Sequence, residues 1–76
     1  MATKYWQLKL KGERGIEEIQ ATVGRGGGLL VRLDVEAGET RVYYAAEEST
    51  SAELTKALKG VGVPTEVRAA DLAKLA

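Results

Sequence analysis

The chain has no cysteine and no histidine, and it contains only one proline and one methionine. Without cysteine it can form neither a disulfide nor a thiolate nucleophile. Without histidine it lacks an imidazole for acid–base catalysis near neutral pH, and conventional zinc and copper(I) sites lose their usual ligands. We therefore expect no metal, no other cofactor and no enzymatic activity.

Neither sign of charge is in excess, because 11 Lys and Arg residues balance 11 Asp and Glu residues. A chain of zero net charge lacks the general attraction to nucleic acids and anionic membranes that an excess of cations supplies. No stretch is apolar over the length of a membrane span, and the first residues lack the apolar run of a signal peptide. We expect a cytoplasmic protein with no membrane partner, in which residues 1–76 form a single domain around one core.

The clearest pattern lies between Leu29 and Ala46, where apolar and polar residues alternate on both sides of Ala37 and Gly38. A period of two is typical of half-buried strands, and Gly38 can adopt the positive φ that a tight turn needs. The segment therefore predicts a β-hairpin. Its pairs are Glu36–Glu39, Val35–Thr40, Asp34–Arg41, Leu33–Val42, Arg32–Tyr43 and Val31–Tyr44. Its apolar face consists of Val31, Leu33, Val35, Val42 and Tyr44.

The remaining segments predict two more strands and three helices. The strands are Tyr5 to Lys11, with Trp6, Leu8 and Leu10 facing the core, and Thr65 to Arg68. Apolar stripes at helical spacing are Ile16, Ile19 and Val23 in the first helix, and Leu54, Ala57, Leu58 and Val61 in the second. Gly24 is predicted to end the first helix, and Thr50 with Glu53 forms a capping-box pattern at the start of the second. Residues 69–76 predict a short terminal helix.

The resulting order, β-α-β-β-α-β before the terminal helix, predicts a ferredoxin-like α+β sandwich. Two helices then cover one face of a four-stranded antiparallel sheet. The first and third strands lie in the centre, and the other face of the sheet is open.

The layout resembles heavy-metal-associated (HMA) domains, the copper-chaperone-like modules. The resemblance lies in the loop at Gly12, in the hairpin turn at residues 36–39, and in the helix of residues 48–58 with the glycine-rich segment that follows. It implies the ferredoxin-like fold. The metal loop of that family has the form GMxCxxC, whereas Glu13 and Arg14 follow Gly12 here, so no metal-binding residue can be carried over. The regulatory ACT domains share the same element order.

The open face is the first candidate site. Residues predicted on it are Tyr5, Gln7, Lys9, Arg32, Asp34, Glu36, Arg41, Tyr43, Glu66 and Arg68. Of these, the partner-binding candidates are Tyr5, Lys9, Arg32, Arg41 and Tyr43. Three interpretations stay open: a solvated face with cross-strand ion pairs, a docking face for a protein, and a platform on which single-stranded bases stack. Acidic residues among the cations and the absence of an RNP signature disfavour nucleic acid.

Two glycine-containing loops are the second candidate. Arg14 in the Gly12–Gly15 loop and Arg25 in the Gly24–Gly28 loop could each hold an anion near exposed backbone amides. A tight turn and a flexible connection are the alternative interpretations. The second loop is not a P-loop, because a strand follows it rather than a helix.

The sequence thus predicts a non-catalytic interaction module that binds another protein through its open face or its loops. The alternatives are a small regulatory domain that binds a ligand, as ACT domains do, and a binder of single-stranded nucleic acid. We expect a monomer or a weak dimer, since the open face lacks the large apolar area of an obligate interface.

Overall fold

The computed structural model describes residues 3–74, which form an α+β protein. The strands are β1 (Lys4–Lys11), β2 (Leu29–Glu36), β3 (Glu39–Ala46) and β4 (Thr65–Val67), and the helices are α1 (Ile16–Arg25), α2 (Glu48–Ala57) and α3 (Ala69–Lys74). The hairpin strands have the predicted bounds. The prediction for the terminal helix extends to residues 75 and 76, which lie outside the described residues.

The four strands form one antiparallel sheet in the order β2-β3-β1-β4. As predicted, β1 and β3 lie in the centre. The edges are the eight residues of β2 and the three residues of β4.

The hairpin register is confirmed from the turn as far as Arg32, which lies opposite Tyr43. Gly38 has a φ of +73° in the turn. Beyond Arg32 the prediction is wrong, because a β-bulge removes Val31 from the ladder and Leu30 lies opposite Tyr44 instead. Leu30 therefore packs against the core, while Val31 is 45% exposed. Val35, also predicted on the apolar face, is exposed to the same extent near the end of the strand.

The core lies between one face of the sheet and helices α1 and α2. It consists of Trp6, Leu8, Leu10, Ile19, Val23, Val42, Tyr44, Ala46, Leu54 and Leu58. Four residues of the predicted helical stripes are buried, namely Ile19, Val23, Leu54 and Leu58, whereas Ile16, Ala57 and Val61 are exposed. Ile16 is the first residue of α1. Val61 lies beyond the end of α2, where its backbone amide donates to the Lys9 carbonyl of β1 at 2.8 Å while its side chain stays exposed.

Polar side chains inside this core have partners. The Tyr44 and Ser51 hydroxyl oxygens lie 2.6 Å apart and share a hydrogen bond between β3 and α2. The Trp6 indole donates to the carbonyl oxygen of Ala46 at 3.0 Å. Among the described residues, no buried side-chain nitrogen or oxygen lacks a hydrogen-bond partner. The Tyr44–Ser51 bond holds α2 on the sheet, and the Trp6–Ala46 bond links β1 to β3.

The ends of both long helices differ from the prediction. Gly24 lies inside α1, whose C-cap is Gly26. Helix α2 begins at Glu48 with Glu47 as its N-cap, because the Ser51 amide already donates to the Glu47 carbonyl at 2.8 Å. Thr50 is therefore in the first turn and does not cap the helix. Within residues 3–74, no helix is both long and apolar enough to span a lipid bilayer.

Candidate functional site

The candidate site is the open face, defined as the face of the sheet opposite α1 and α2. Residues paired directly across neighbouring antiparallel strands share a face, so the register assigns each side chain. At one end of the sheet, Tyr5 on β1 pairs with Ala45 on β3 and with Val67 on β4, and Ala45 pairs with Leu29 on β2. We call Leu29, Ala45, Tyr5 and Val67 the apolar row. All four strands contribute to it.

The next row contains Tyr43, with Gln7 and Arg32 as its direct neighbours. Tyr43 is only 4% exposed although it lies on the open face. Its hydroxyl oxygen accepts a hydrogen bond from the side-chain amide of Gln7 at 2.8 Å. Tyr43 thus contributes to the stability of this face, and its ring offers almost no surface to a partner.

The opposite end of the open face is charged. Arg32 Nε donates to Asp34 Oδ1 at 2.9 Å, and Arg41 Nε donates to Glu39 Oε2 at 3.1 Å. The hydrogen bond to Glu39, together with the charge of Glu36, raises the pKa of Arg41 above its usual value. The guanidinium group therefore stays charged, and its positive charge is largely offset by the carboxylates of Glu39 and Glu36.

Lys9 is exposed beside Arg41 on this charged end. It forms no ion pair with any residue in the described part of the chain. Among the candidate cations of the open face, Lys9 is therefore the one whose charge no described carboxylate offsets directly.

Two residues predicted on the open face lie elsewhere. Glu66 pairs with Trp6 and so belongs to the helix side of the sheet, where it lies 3.4 Å from the Lys4 ammonium group. Arg68 follows the end of β4 and pairs with Asp71 at 3.2 Å. The short fourth strand instead presents Val67 on the open face.

The two loop arginines have different surroundings. The Arg14 amide donates to the Thr40 hydroxyl at 3.0 Å, and that buried hydroxyl donates to the Gly12 carbonyl at 2.8 Å. The Arg14 guanidinium lies 3.9 Å from Glu18. Its loop is thus held in a fixed turn. Arg25, at the end of α1, borders a surface cavity of about 320 Å³ together with Glu53 of α2.

One further cavity was not predicted from the sequence. A cleft of about 310 Å³ lies between α2 and the segment that leads into β4. The apolar part of its lining consists of Trp6, Ala52, Val63 and Pro64. Its polar part consists of Glu48, Ser51 and Thr55 on α2. No sequence signal locates this cleft, because it depends on how the segment before β4 lies against the helix.

Within residues 3–74, no group of three or more acidic, cysteine or histidine side chains is placed to hold a metal ion. The chain gives no significant match to a protein-family model, to a curated protein or to a solved structure. The resemblance to HMA domains therefore stays a prediction from the sequence.

Proposed function

We propose that this protein is a non-catalytic interaction module with a ferredoxin-like fold, similar to HMA domains in layout but without their metal site. The order of the elements through β4 and the sheet order β2-β3-β1-β4 support this assignment. Helix α3 is an addition after the last strand. The module acts by binding another protein through its open face.

The apolar row is the observation that carries this proposal. Leu29 is 68% exposed and Tyr5 is 36% exposed, although both belong to a continuous line of apolar residues across the sheet. Charged side chains occupy the other end of the same face. Protein–protein interfaces combine an apolar part with polar surroundings, and this face offers both, at its opposite ends. A partner that covered the row would bury Leu29, Tyr5 and Val67 together.

The same face is less suited to nucleic acid. Base stacking needs accessible aromatic rings, and because Tyr43 is almost fully buried, Tyr5 is the one exposed ring among the described residues of this face. Phosphate binding needs available cations, and because Arg41 is bound by Glu39 and Glu36 and Arg32 by Asp34, Lys9 is the one candidate cation there without a described ion pair. These observations favour a protein as the partner.

A pair of matched variants tests the proposal. Leu29→Asp places a charge in the apolar row, and Ile16→Asp places the same charge on another exposed apolar residue at the start of α1. We expect immobilised wild-type protein to capture a specific protein from host lysate. Leu29→Asp should capture at least tenfold less of that protein, since a buried unpaired charge is strongly unfavourable in an interface. Ile16→Asp should capture as much of it as the wild type does.

Circular dichroism of both variants checks that the fold is intact. Retention of the same captured protein by folded Leu29→Asp would contradict docking on the apolar row, and so would an equal loss with Ile16→Asp.

A regulatory ligand-binding domain is the second candidate, and the cleft beside Trp6 favours it. Its volume of about 310 Å³ is at the lower end of the range for small-molecule sites. A ligand that binds only the folded state raises the unfolding midpoint. A metabolite screen by thermal shift would identify such a ligand by a rise in the unfolding midpoint. The screen is repeated with Ala52→Trp, which fills the cleft and should abolish that rise.

A further inference from the structure

We propose that β2 pairs antiparallel with β2 of a second copy of this chain, around a two-fold axis at Leu33, so that two sheets join into one. This interface is formed by the edge of β2 from Val31 to Val35, whereas the proposed function is carried by the apolar row. The two can therefore fail independently.

The position and length of β2 are the first support. It is an edge strand of eight residues, and β3 is its only strand neighbour in the described part of the chain. The outer side of an edge strand carries backbone N–H and C=O groups that can pair with another strand. The other edge, β4, has only three residues and offers a much shorter ladder.

The exposed apolar side chains are the second support. Leu29, Val31 and Val35 are 68%, 45% and 45% exposed, and all three lie on β2. The other large hydrophobic residues exposed among residues 3–74 are Tyr5, Ile16, Val61 and Val63. No other strand carries more than one of them. A second strand beside β2 would cover Val31 and Val35.

Charge complementarity selects the register. With the axis at Leu33, Arg32 lies opposite Asp34 of the second copy, and Val31 lies opposite Val35 of the second copy. This arrangement occurs twice because a two-fold interface repeats every contact. An axis at Arg32 or at Asp34 would instead place two like charges directly opposite each other, which is unfavourable. Leu33 is therefore the centre that satisfies both the charges and the apolar side chains.

The bulge limits the extent of the pairing. It interrupts the β2–β3 ladder between Leu30 and Arg32, so the proposed pairing does not extend beyond Val31 toward Leu29. The paired segment then runs from Val31 to Val35, which gives a small interface. Small interfaces form weak, concentration-dependent assemblies, and we expect a reversible dimer that dissociates on dilution.

Charge reversal tests the pairing through three samples. Arg32→Asp and Asp34→Arg each place like charges across the axis, and each should raise the dimer dissociation constant about tenfold or more in sedimentation equilibrium. Each also breaks the ion pair within β2. An equimolar mixture of the two variants separates these effects, because opposite charges meet again across the axis while neither chain regains its internal pair. The mixture should form a heterodimer with near wild-type affinity.

Arg68→Asp is the matched control, since it makes the same charge change and breaks another surface Arg–Asp pair, between Arg68 and Asp71. It should dimerise like the wild type. A wild-type chain that stays monomeric up to its solubility limit would overturn the proposal. So would single variants that dimerise normally, or a mixture that remains monomeric. None of these results would affect capture of a different protein by the apolar row.

Discussion

Tyr44 is a buried titratable residue through which we expect the stability of this core to depend on pH. Its side chain is fully buried, and its hydroxyl shares a hydrogen bond with Ser51 of α2. Burial raises the pKa of Tyr44 above its usual 10.0, and the hydrogen bond with Ser51 opposes part of that rise. The folded state therefore favours the neutral phenol.

The sign of the pH dependence follows from this shift. Below the unfolded pKa of Tyr44, near 10, the phenol is neutral in both states and its contribution to stability is fully present. As the pH rises through that value toward the higher folded pKa, the unfolded chain ionises first, and stability falls. We expect Tyr44→Phe to lose less stability than the wild type between about pH 9 and about pH 11.

Urea denaturation over this range measures the effect. The variant leaves the Ser51 hydroxyl without its partner and so begins from a lower stability at neutral pH, but only the slope with pH tests the claim. Parallel slopes for Tyr44→Phe and wild type would show that Tyr44 does not couple ionisation to folding.

At the scale of the elements, features encoded by the local sequence were predicted correctly, whereas features that depend on tertiary contacts were missed. The hairpin register from Glu36 to Arg32 was predictable because the alternation of side chains and the glycine in the turn specify the same pairing. The bulge at Val31 was not predictable, since nothing in the local sequence distinguishes it from a regular strand. Strict alternation would place Leu29 on the same face as Val31 and Leu33, whereas the bulge places it opposite Ala45 on the open face, so alternation alone does not find this residue of the apolar row.

The start of α2 is a second feature that the local sequence signal predicted incorrectly. The Thr50–Glu53 pattern satisfies a capping box, yet the helix begins earlier with Glu47 as N-cap. The Glu47 side chain makes no capping hydrogen bond. The earlier start places Ser51 within the first turns of the helix, where its amide donates to the Glu47 carbonyl and its side chain is buried together with that of Leu54.

This placement predicts the effects of two substitutions in α2. Glu47→Ser supplies a side chain that can accept from the first-turn amides, and should stabilise the protein by about 0.5–1 kcal/mol. Thr50→Ala should change stability by less than about 0.5 kcal/mol, because Thr50 does not cap the helix. Thermal unfolding of both variants measures this. If Thr50 were the N-cap, its replacement would cost about 1 kcal/mol and the Glu47 change would have little effect.

At the scale of the whole molecule, the register of the four strands determines which residues lie together in the candidate site. The sequence predicted the four strands, their central pair and the presence of Tyr5, Lys9, Arg32 and Arg41 on the open face. It did not predict that Val67 joins Tyr5 or that Tyr43 is buried, because both depend on contacts between distant segments. The apolar row thus exists only in the folded sheet.

The central claim is that this row contacts another protein, and site-specific photo-cross-linking in living cells tests it most directly. A photoreactive amino acid would replace Leu29 in the row or Ile16 on α1, two apolar positions that are both well exposed. We predict a covalent adduct with a different protein from position 29 and none of that adduct from position 16. No adduct from position 29, or the same adducts from both positions, would contradict the account.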